Sequence, residues 1–243
     1  RLKIIALKYD RIVVDEAQAL ANSKYLEVMN LSLRNGFSKG KWTMFGDFSM
    51  QSIYNNNMTE SDYLECLQNR AFFAIFRLNK NCRNTRKICI DIENIVGIPE
   101  NAAFEDTIDT PAVNHITYCD MQDQKVRLEA LLLDLKEKNI PAKDIVILSP
   151  KKRCNSVVQL LEGYNIKDYS VKSTGRVRFS TIQAFKGLES STIILTDIED
   201  YQDEKLIYVG LSRARFNLHV LETEKASSAR TMLFFQRRLT NDR

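Results

Sequence analysis

The sequence lacks the features that mark membrane, secreted and metal-binding chains. No apolar run approaches the roughly 18 residues that a membrane-spanning helix needs, and the first residues do not form a signal-peptide pattern. No C-x-x-C pair occurs, and the few cysteines and histidines are scattered: Cys66, Cys82, Cys89, Cys119, Cys154, His115 and His219. These absences argue against a disulfide framework and a zinc site, and they favour the reducing cytoplasm as the location.

The sequence also lacks a strong charge of either sign. With 35 Lys and Arg residues against 31 Asp and Glu residues, the net charge is +4, which permits nucleic-acid binding without arguing for it. The most basic stretch, residues 151–153, is more typical of a solvated helix start than of a contact with a phosphate backbone. What is present, 44% hydrophobic and 27% charged residues in a chain of 243, indicates a globular protein with one or two domains.

Short apolar strands alternate with amphipathic helices along the whole chain. The predicted strands cover residues 11–16, 41–46, 75–78, 113–118, 144–149, 177–181, 192–197 and 217–222. Asp120 is placed to cap a helix that extends to Asn139 and carries leucines at the spacing of one buried face. Residues 98–111 are the most loop-like stretch. The alternation predicts an α/β fold with a mostly parallel sheet.

The first predicted strand stops on two adjacent carboxylates, Asp15 and Glu16. Ligands of open α/β sheets collect beyond the carboxyl ends of such strands, so this strand end suits a metal-bound nucleotide. Asp15 would hold the Mg²⁺ shell, and Glu16 would orient or deprotonate the attacking water of phosphoryl transfer. The alternative is a strand that ends in two solvated acids, and only partners elsewhere in the chain decide between the two.

The loop after the second predicted strand, residues 46–54, places an acid, an amide and an aromatic side chain at close spacing. It would face the same crevice as Asp15 and Glu16, where Gln51 could donate its amide to a terminal phosphate and Asp47 could support the metal's water shell. Taken alone, the segment is equally a generic polar turn before a helix.

Three later segments carry charged residues next to predicted strands or helices. Arg83 lies among polar residues at a strand-to-helix junction, from which its planar guanidinium could reach a phosphate. Residues 179–189 join a strand end to a lysine-glycine turn and a glutamate. Residues 206–215 predict a helix in which Arg213 and Arg215 lie two positions apart, so at most one of them should point at a given ligand. Each segment taken singly fits a solvated turn or a helix rim.

In order and identity, these segments resemble motifs II to VI of the UvrD/Rep-like superfamily 1 helicases. The matching strings are residues 15–18, 46–54, 81–85, 181–189 and 208–215, which together extend over nearly the whole chain. The most specific of them are Tyr-Val-Gly-Leu-Ser-Arg-Ala at 208–214 and Lys-Gly-Leu-Glu at 186–189. The resemblance implies a RecA-like P-loop NTPase architecture. Residues 1–76 would form the C-terminal part of a first motor lobe and residues 77–243 a compact second lobe, with ATP and Mg²⁺ between them.

The resemblance also implies a role for each matched residue. The nucleotide set would comprise Asp15 as magnesium ligand, Glu16 as hydrolytic base, Asp47, Gln51 as γ-phosphate sensor, Arg83 and Arg213 as arginine fingers, and Gly187 and Glu189 beside the nucleotide. The set that contacts single-stranded DNA or RNA would comprise Tyr54, Thr181 and Gln183.

The chain departs from this family in several places. No G-x-x-x-x-G-K-[ST] phosphate loop occurs, and only 14 residues precede Asp15, so we expect a C-terminal half whose partner is the missing phosphate-loop region, with negligible ATPase activity alone. The 98 residues from Arg83 to Thr181 leave no room for a large 2B insertion. Residues 55–57 replace the family's tryptophan-arginine pair, and Cys82 replaces a tyrosine that stacks on adenine. Residues 1–75 should also expose apolar surface, because their sheet would lack its phosphate-loop strand.

Two functions of different classes follow from these residues. The first is an ATP-dependent DNA helicase or translocase that moves on a single strand as its lobes open and close. The alternative is an ATP-gated nucleic-acid-binding switch that controls a nuclease or another partner without unwinding. A degenerate motor retained as a scaffold is disfavoured, since both acids and both arginines are present.

Overall fold

The computed structural model describes residues 8–47, 59–78, 80–97, 111–170 and 175–241. The chain divides into two compact units, unit 1 (Arg1–Leu78) and unit 2 (Asn79–Arg243). This division lies two residues after the boundary that the resemblance implies.

Unit 1 contains a small parallel sheet and helices. Strand β1 (Arg11–Val14) pairs with β2 (Lys41–Met44), and the described helices are α1 (Ser23–Ser32), α2 (Gly36–Lys39) and α3 (Glu60–Gln68). Asn22 caps α1, while Thr59 and Asp62 form a capping box at the start of α3. Polar side chains thus satisfy backbone N–H groups at both helix starts, where no intrahelical partner exists.

The core of unit 1 is small, and apolar side chains remain outside it. The largest buried members of the core are Leu26, Leu33, Phe37, Tyr63 and Leu67. By contrast, Val13 on β1 is 62% exposed, and Phe72, Phe76 and Leu78 after α3 are almost completely exposed. Of these side chains, Val13 and Phe72 lie within residues 1–75, the segment in which apolar exposure was expected.

Unit 2 is a larger α/β body. Its strands are β3 (Asn114–Tyr118), β4 (Ile145–Ser149), β5 (Lys167–Asp168), β6 (Arg178–Thr181), β7 (Ser190–Ile198) and β8 (Ala214–Thr223). Its described helices are α4 (Arg86–Val96), α5 (Met121–Glu137), α6 (Glu204–Leu211) and α7 (Glu224–Asn241). The strands form one sheet in the order β3-β8-β7-β4-β6-β5, and every pair of neighbours is parallel. The predicted α/β class with a mostly parallel sheet is therefore confirmed.

Helix α5 follows the sequence prediction closely. The Asp120 side chain accepts hydrogen bonds from the backbone N–H groups of Gln122 and Asp123. The predicted leucine stripe is buried against the sheet and comprises Leu128, Leu131, Leu132 and Leu135. The stripe is core packing, as its period predicts. Within the described residues, none of the helices has both the length and the apolar character needed to cross a membrane.

Two element predictions are wrong. Residues 75–78 are no strand, and Ile75, Phe76 and Leu78 are exposed; local apolar character does not suffice where no neighbouring strand supplies hydrogen bonds. The helix predicted for residues 206–215 ends at Leu211, and β8 already begins at Ala214. Strand β5 was missed, because two polar residues carry no strand pattern. Most of the loop-like stretch, residues 98–110, lies outside the described residues.

Candidate functional site

In unit 1 the two acids lie where β1 ends. Asp15 follows the last strand residue, Val14, and its side chain is exposed and accepts a hydrogen bond from the Glu16 backbone N–H at 2.9 Å. Glu16 adopts a left-handed conformation, with φ of 54°, which is uncommon for a residue with a side chain. The turn therefore directs both acids away from the strand at its carboxyl end.

Gln18 joins this turn to the end of the second strand. Its buried side-chain amide nitrogen, Nε2, donates to Glu16 Oε2 at 2.7 Å, and its carbonyl oxygen, Oε1, accepts from the Asp47 backbone N–H at 3.1 Å. The structure thus brings the Asp47 backbone to the turn that carries Asp15 and Glu16. The motif string contains Gln18, but sequence reasoning gave it no role. Gln51 and Tyr54 lie outside the described residues.

The acids of unit 1 fit a magnesium ion that is held mainly by its substrate. Mg²⁺ keeps several waters and takes one or two carboxylates together with substrate phosphates, and the exposed Asp15 suits that demand. Among the described residues, no group of three or more His, Cys, Asp or Glu side chains could hold a metal by itself.

In unit 2, Arg83 forms an ion pair with Glu189. Its Nε lies 2.9 Å from Glu189 Oε2, across 106 positions of the sequence. The side chains are 35% and 43% exposed, respectively. Arg215 approaches the other oxygen of Glu189 at 3.5 Å. Two guanidinium groups thus flank one carboxylate at the surface, in an arrangement that suits an anionic ligand.

Arg213 has a different environment from Arg215. It is fully buried, and its guanidinium donates to Val209 O at 2.9 Å, Leu188 O at 3.3 Å and Ser212 Oγ at 3.0 Å. Arg215 is exposed. The two arginines differ because α6 ends before them and the chain enters β8, whereas the sequence predicted a continuous helix.

Asn84 is a residue of this region that sequence reasoning missed. Its buried side chain contacts the backbone on both sides of Arg213, at Ser212 O and Ala214 O. The residue lies inside the polar string that surrounds Arg83, but its partners are 128 and 130 positions away. No local sequence signal reports a contact of that separation.

Thr181 and Gln183 lie at the carboxyl ends of the parallel strands, whereas Glu189 lies at their amino ends. Thr181 is the last residue of β6, and its hydroxyl accepts from the Ala184 backbone N–H. Glu189 immediately precedes β7. Since the strands are parallel, residues 182–189 run from the carboxyl ends of the strands back to their amino ends. The two ends of a five-residue strand are roughly 15 Å apart. Gly187, with φ of 80° and open space around it, provides the left-handed turn in this segment.

Acidic neighbours pair with two of the three basic residues at 151–153, which follow β4. Lys151 pairs with Glu199 at 2.5 Å, and Arg153 pairs with Asp168 at 3.0 Å. Residues 153–155 form a single 3₁₀ turn. A solvated turn therefore describes residues 151–153 better than a phosphate-binding loop.

The most perturbed acid of unit 2 belongs to a buried cluster away from these residues. Glu222 is fully buried and accepts from Tyr201 Oη at 2.5 Å and from Arg230 at 2.8 Å. Burial raises its pKa, but the contacts with His115, Arg230 and Tyr201 outweigh burial and bring the pKa to about 2. Burial lowers the pKa of His115, yet the carboxylates of Asp91 and Glu222 raise it on balance. The cluster ties α4 and α7 to β3 and β8.

Comparison with known proteins identifies similar structures only. No protein-family model matches the chain, and no curated protein matches it. The C-terminal domain of a possible DNA helicase from Lactobacillus plantarum WCFS1 is similar with a TM-score of 0.48 and 14% identity, over 63% of this chain and 96% of that chain. Arterivirus nonstructural protein 10, a helicase, is similar with a TM-score of 0.43 and 14% identity, over 91% of this chain and 41% of that chain. At these values the likenesses assign neither a family nor an activity.

Proposed function

We propose that the chain supplies motifs II to VI of an ATP-dependent superfamily 1 helicase or translocase that acts on single-stranded DNA. The observation that carries the proposal is the convergence of residues 81–85, 187–189 and 212–215 at the amino ends of β7 and β8. These segments match three of the ordered motifs, and the ion pair between Arg83 and Glu189 joins two of them directly. Residues 187–189 and 212–215 meet because β7 and β8 are parallel neighbours, but the sheet does not require residues 81–85 to contact both of them across 106 and 128 positions.

The proposed nucleotide chemistry uses charged residues of both units. Asp15 would take one coordination position of Mg²⁺, and the ion would neutralise charge on the phosphates. Glu16 would orient or deprotonate the attacking water. The half-buried Arg83 would exchange its carboxylate partner for a phosphoryl oxygen, since a guanidinium binds both with the same planar geometry. Arg213 would act as the second arginine only after its buried guanidinium releases Val209 O, Leu188 O and Ser212 Oγ.

The proposed nucleic-acid contacts lie at the carboxyl ends of the strands. Thr181 and Gln183 would contact a single strand there with polar groups that tolerate any base sequence. Residues 182–189 connect these strand ends with Glu189 directly. A nucleotide-dependent displacement of that segment would change the strand contacts, which is the coupling that a motor requires.

Binding of a labelled oligothymidine to the 243-residue chain, followed by fluorescence anisotropy, tests the proposal. We expect salt-sensitive binding that the double variant Thr181→Ala/Gln183→Ala weakens about 10-fold. MgATP should change the affinity of the wild type, and Arg83→Ala should abolish that change without altering binding in its absence. Arg127→Ala is the matched control, because Arg127 forms a similar exposed ion pair with Asp123 on α5 at 3.0 Å.

Three results would contradict the proposal. One is the absence of single-strand binding, and another is binding on which MgATP has no effect. The third concerns hydrolysis. Because these 243 residues contain no phosphate loop, the chain alone should release negligible phosphate from ATP, and clear release that depends on Glu16 would overturn this account of the site.

A further inference from the structure

The side chain of Asn84 uses all of its hydrogen-bonding groups to connect two turns. It is 1% exposed. Its Nδ2 donates to Ser212 O at 3.1 Å and to Ala214 O at 2.5 Å. Its Oδ1 accepts from Asn81 Nδ2 at 2.8 Å. The amide therefore holds the two peptide groups that flank Arg213 and is itself held from the other side.

The turn that carries Arg83 is built on the same pair of asparagines. Asn81 Oδ1 accepts from the backbone N–H of Arg83 at 2.9 Å and from that of Asn84 at 3.0 Å. One hydrogen bond thus joins the Arg83 backbone to the Asn81 side chain, and a second joins the Asn81 side chain to that of Asn84. A displacement of either turn would have to break a bond in this chain or move the other turn.

A third segment closes the connection into a ring. The backbone N–H of Ser190 donates to Arg213 O at 3.1 Å, and the preceding residue, Glu189, pairs with Arg83. From Arg83 the contacts therefore run through Glu189, Ser190, Arg213 and Asn84 and return to Arg83. Closed rings of this kind resist local displacement, because no member can move alone without losing a bond.

We propose that Asn84 is a positioning residue that keeps the segments carrying Arg83, Glu189 and Arg213 in one fixed arrangement. Its significance for phosphoryl transfer rests on the proposed function, whereas the mechanical coupling does not. An asparagine is suited to this role, because one planar group supplies two donors and one acceptor. Serine has one donor, and aspartate, which has the same shape, has none when ionised.

Asn84→Asp is the sharpest perturbation. It preserves the shape and the acceptor for Asn81, but it turns oxygen atoms toward Ser212 O and Ala214 O. Hydrogen exchange followed by NMR should show the amides of Ser212 and Arg213 exchanging about 10-fold faster or more. The Arg83 Nε–H resonance, which reports the pair with Glu189, should shift and exchange faster as well, although the substitution does not touch that pair.

Asn94→Asp is the matched control, since it adds the same charge about 15 Å further along α4 and should leave these signals at wild-type values. Glu189→Gln should change the Arg83 signal and leave the Ser212 amide unchanged. If Asn84→Asp does not fold, Asn84→Ser replaces it and should give a smaller increase at the same amides. Wild-type exchange at Ser212 and Arg213 in a folded Asn84 variant would overturn the proposal, as would a uniform increase that includes β4.

The same samples separate this proposal from the proposed function. With MgATP added, the wild type should show altered Arg83 and Ser190 signals, and Asn84→Asp should show a weaker response. Local loosening in Asn84→Asp, with no MgATP response in any variant, would support the coupling and contradict the nucleotide role. A normal MgATP response, with unaltered exchange in Asn84→Asp, would support the nucleotide role and overturn the coupling.

Discussion

Replacing Arg230 by methionine should destabilise unit 2 by about 3 kcal/mol, because it leaves the buried Glu222 carboxylate without its charged partner. Arg230 donates to Glu222 from two nitrogens, at 3.1 Å and 2.8 Å. Tyr201 and His115 remain as the other neighbours of the carboxylate. Neither of them carries a permanent positive charge, so they compensate the loss only in part.

The magnitude follows from the burial of the ion pair. Loss of one partner of a buried ion pair costs about 3–5 kcal/mol, and the lower end applies because the Arg230 side chain is 24% exposed. Against the effect of burial, the pKa of Glu222 is lowered to about 2 by His115, Arg230 and Tyr201 together, so Arg230 supplies only part of the preference for the charged form.

The pH dependence of the stability loss distinguishes a lost charge interaction from lost packing. Since the folded pKa of Glu222 is lowered, its contribution is fully present above its unfolded value of 4.5 and disappears as the pH falls towards about 2. The stability difference between wild type and Arg230→Met should therefore be full at pH 7 and shrink as the pH falls from 4.5 towards about 2.

Urea unfolding followed by far-UV circular dichroism measures this difference. Trp42, the single tryptophan, lies in unit 1, so its fluorescence gives a separate signal for that unit. Adding Glu222→Gln to Arg230→Met should recover more than half of the lost stability, because no buried charge remains. A loss under about 1 kcal/mol, the same loss at about pH 3 and at pH 7, or no recovery in the double variant would refute this reasoning.

Three further predictions concern unit 2. Burial lowers the pKa of His219 to about 4, so folding should lose stability as the pH falls from about 6.5 towards 4; melting curves of His219→Gln at pH 7.5 and 5.0 should show a smaller loss. Leu128→Ala, at a fully buried site, should lower the free energy of unfolding by about 3 kcal/mol in urea. Leu133→Ala, at a site that is 51% exposed, should lower it by under about 1 kcal/mol. Equal losses would contradict the burial of the leucine stripe. Asp120→Ala should cost about 1 kcal/mol through the lost cap, and Asp120→Asn should restore most of it if capping is the cause.

Sequence patterns predict a helix or strand correctly where the spacing of apolar residues fits only that element. The leucines of α5 repeat at the period of one helix face, and the strand at 145–149 is a continuous apolar run, so both appear where they were expected. Strand ends differ from the predictions by one to three residues: β8 begins earlier because its backbone pairing extends beyond the apolar pattern, whereas β1 and β2 end two residues before the predicted ends. The segment 75–78 has the right composition, but whether it becomes a strand depends on a neighbour that composition does not reveal.

The candidate site divides in the same way. Residue types and order predicted roles for Asp15, Glu16, Arg83 and Glu189 at a nucleotide, and the structure brings Arg83 and Glu189 into contact. The burial of Arg213 could not be read from Ser-Arg-Ala, a string that is polar enough for a helix rim. Its environment is set by the end of α6, by Leu188 O and by the start of β8, which are features of the folded chain.

The geometry of residues 182–189 constrains how the proposed motor would work. Thr181 immediately precedes this segment at the carboxyl ends of the strands, and Glu189 ends it at the amino ends. Ile182 and Phe185 are fully buried between them, so the first part of the segment is anchored in the core, and the left-handed Gly187 follows directly before the exposed end. A ligand-driven movement at Glu189 would therefore be absorbed at Gly187 unless the anchored part moves with it. Gly187→Ala, which stiffens this turn at a cost of about 1 kcal/mol, should consequently alter the effect of MgATP on strand binding more than strand binding itself.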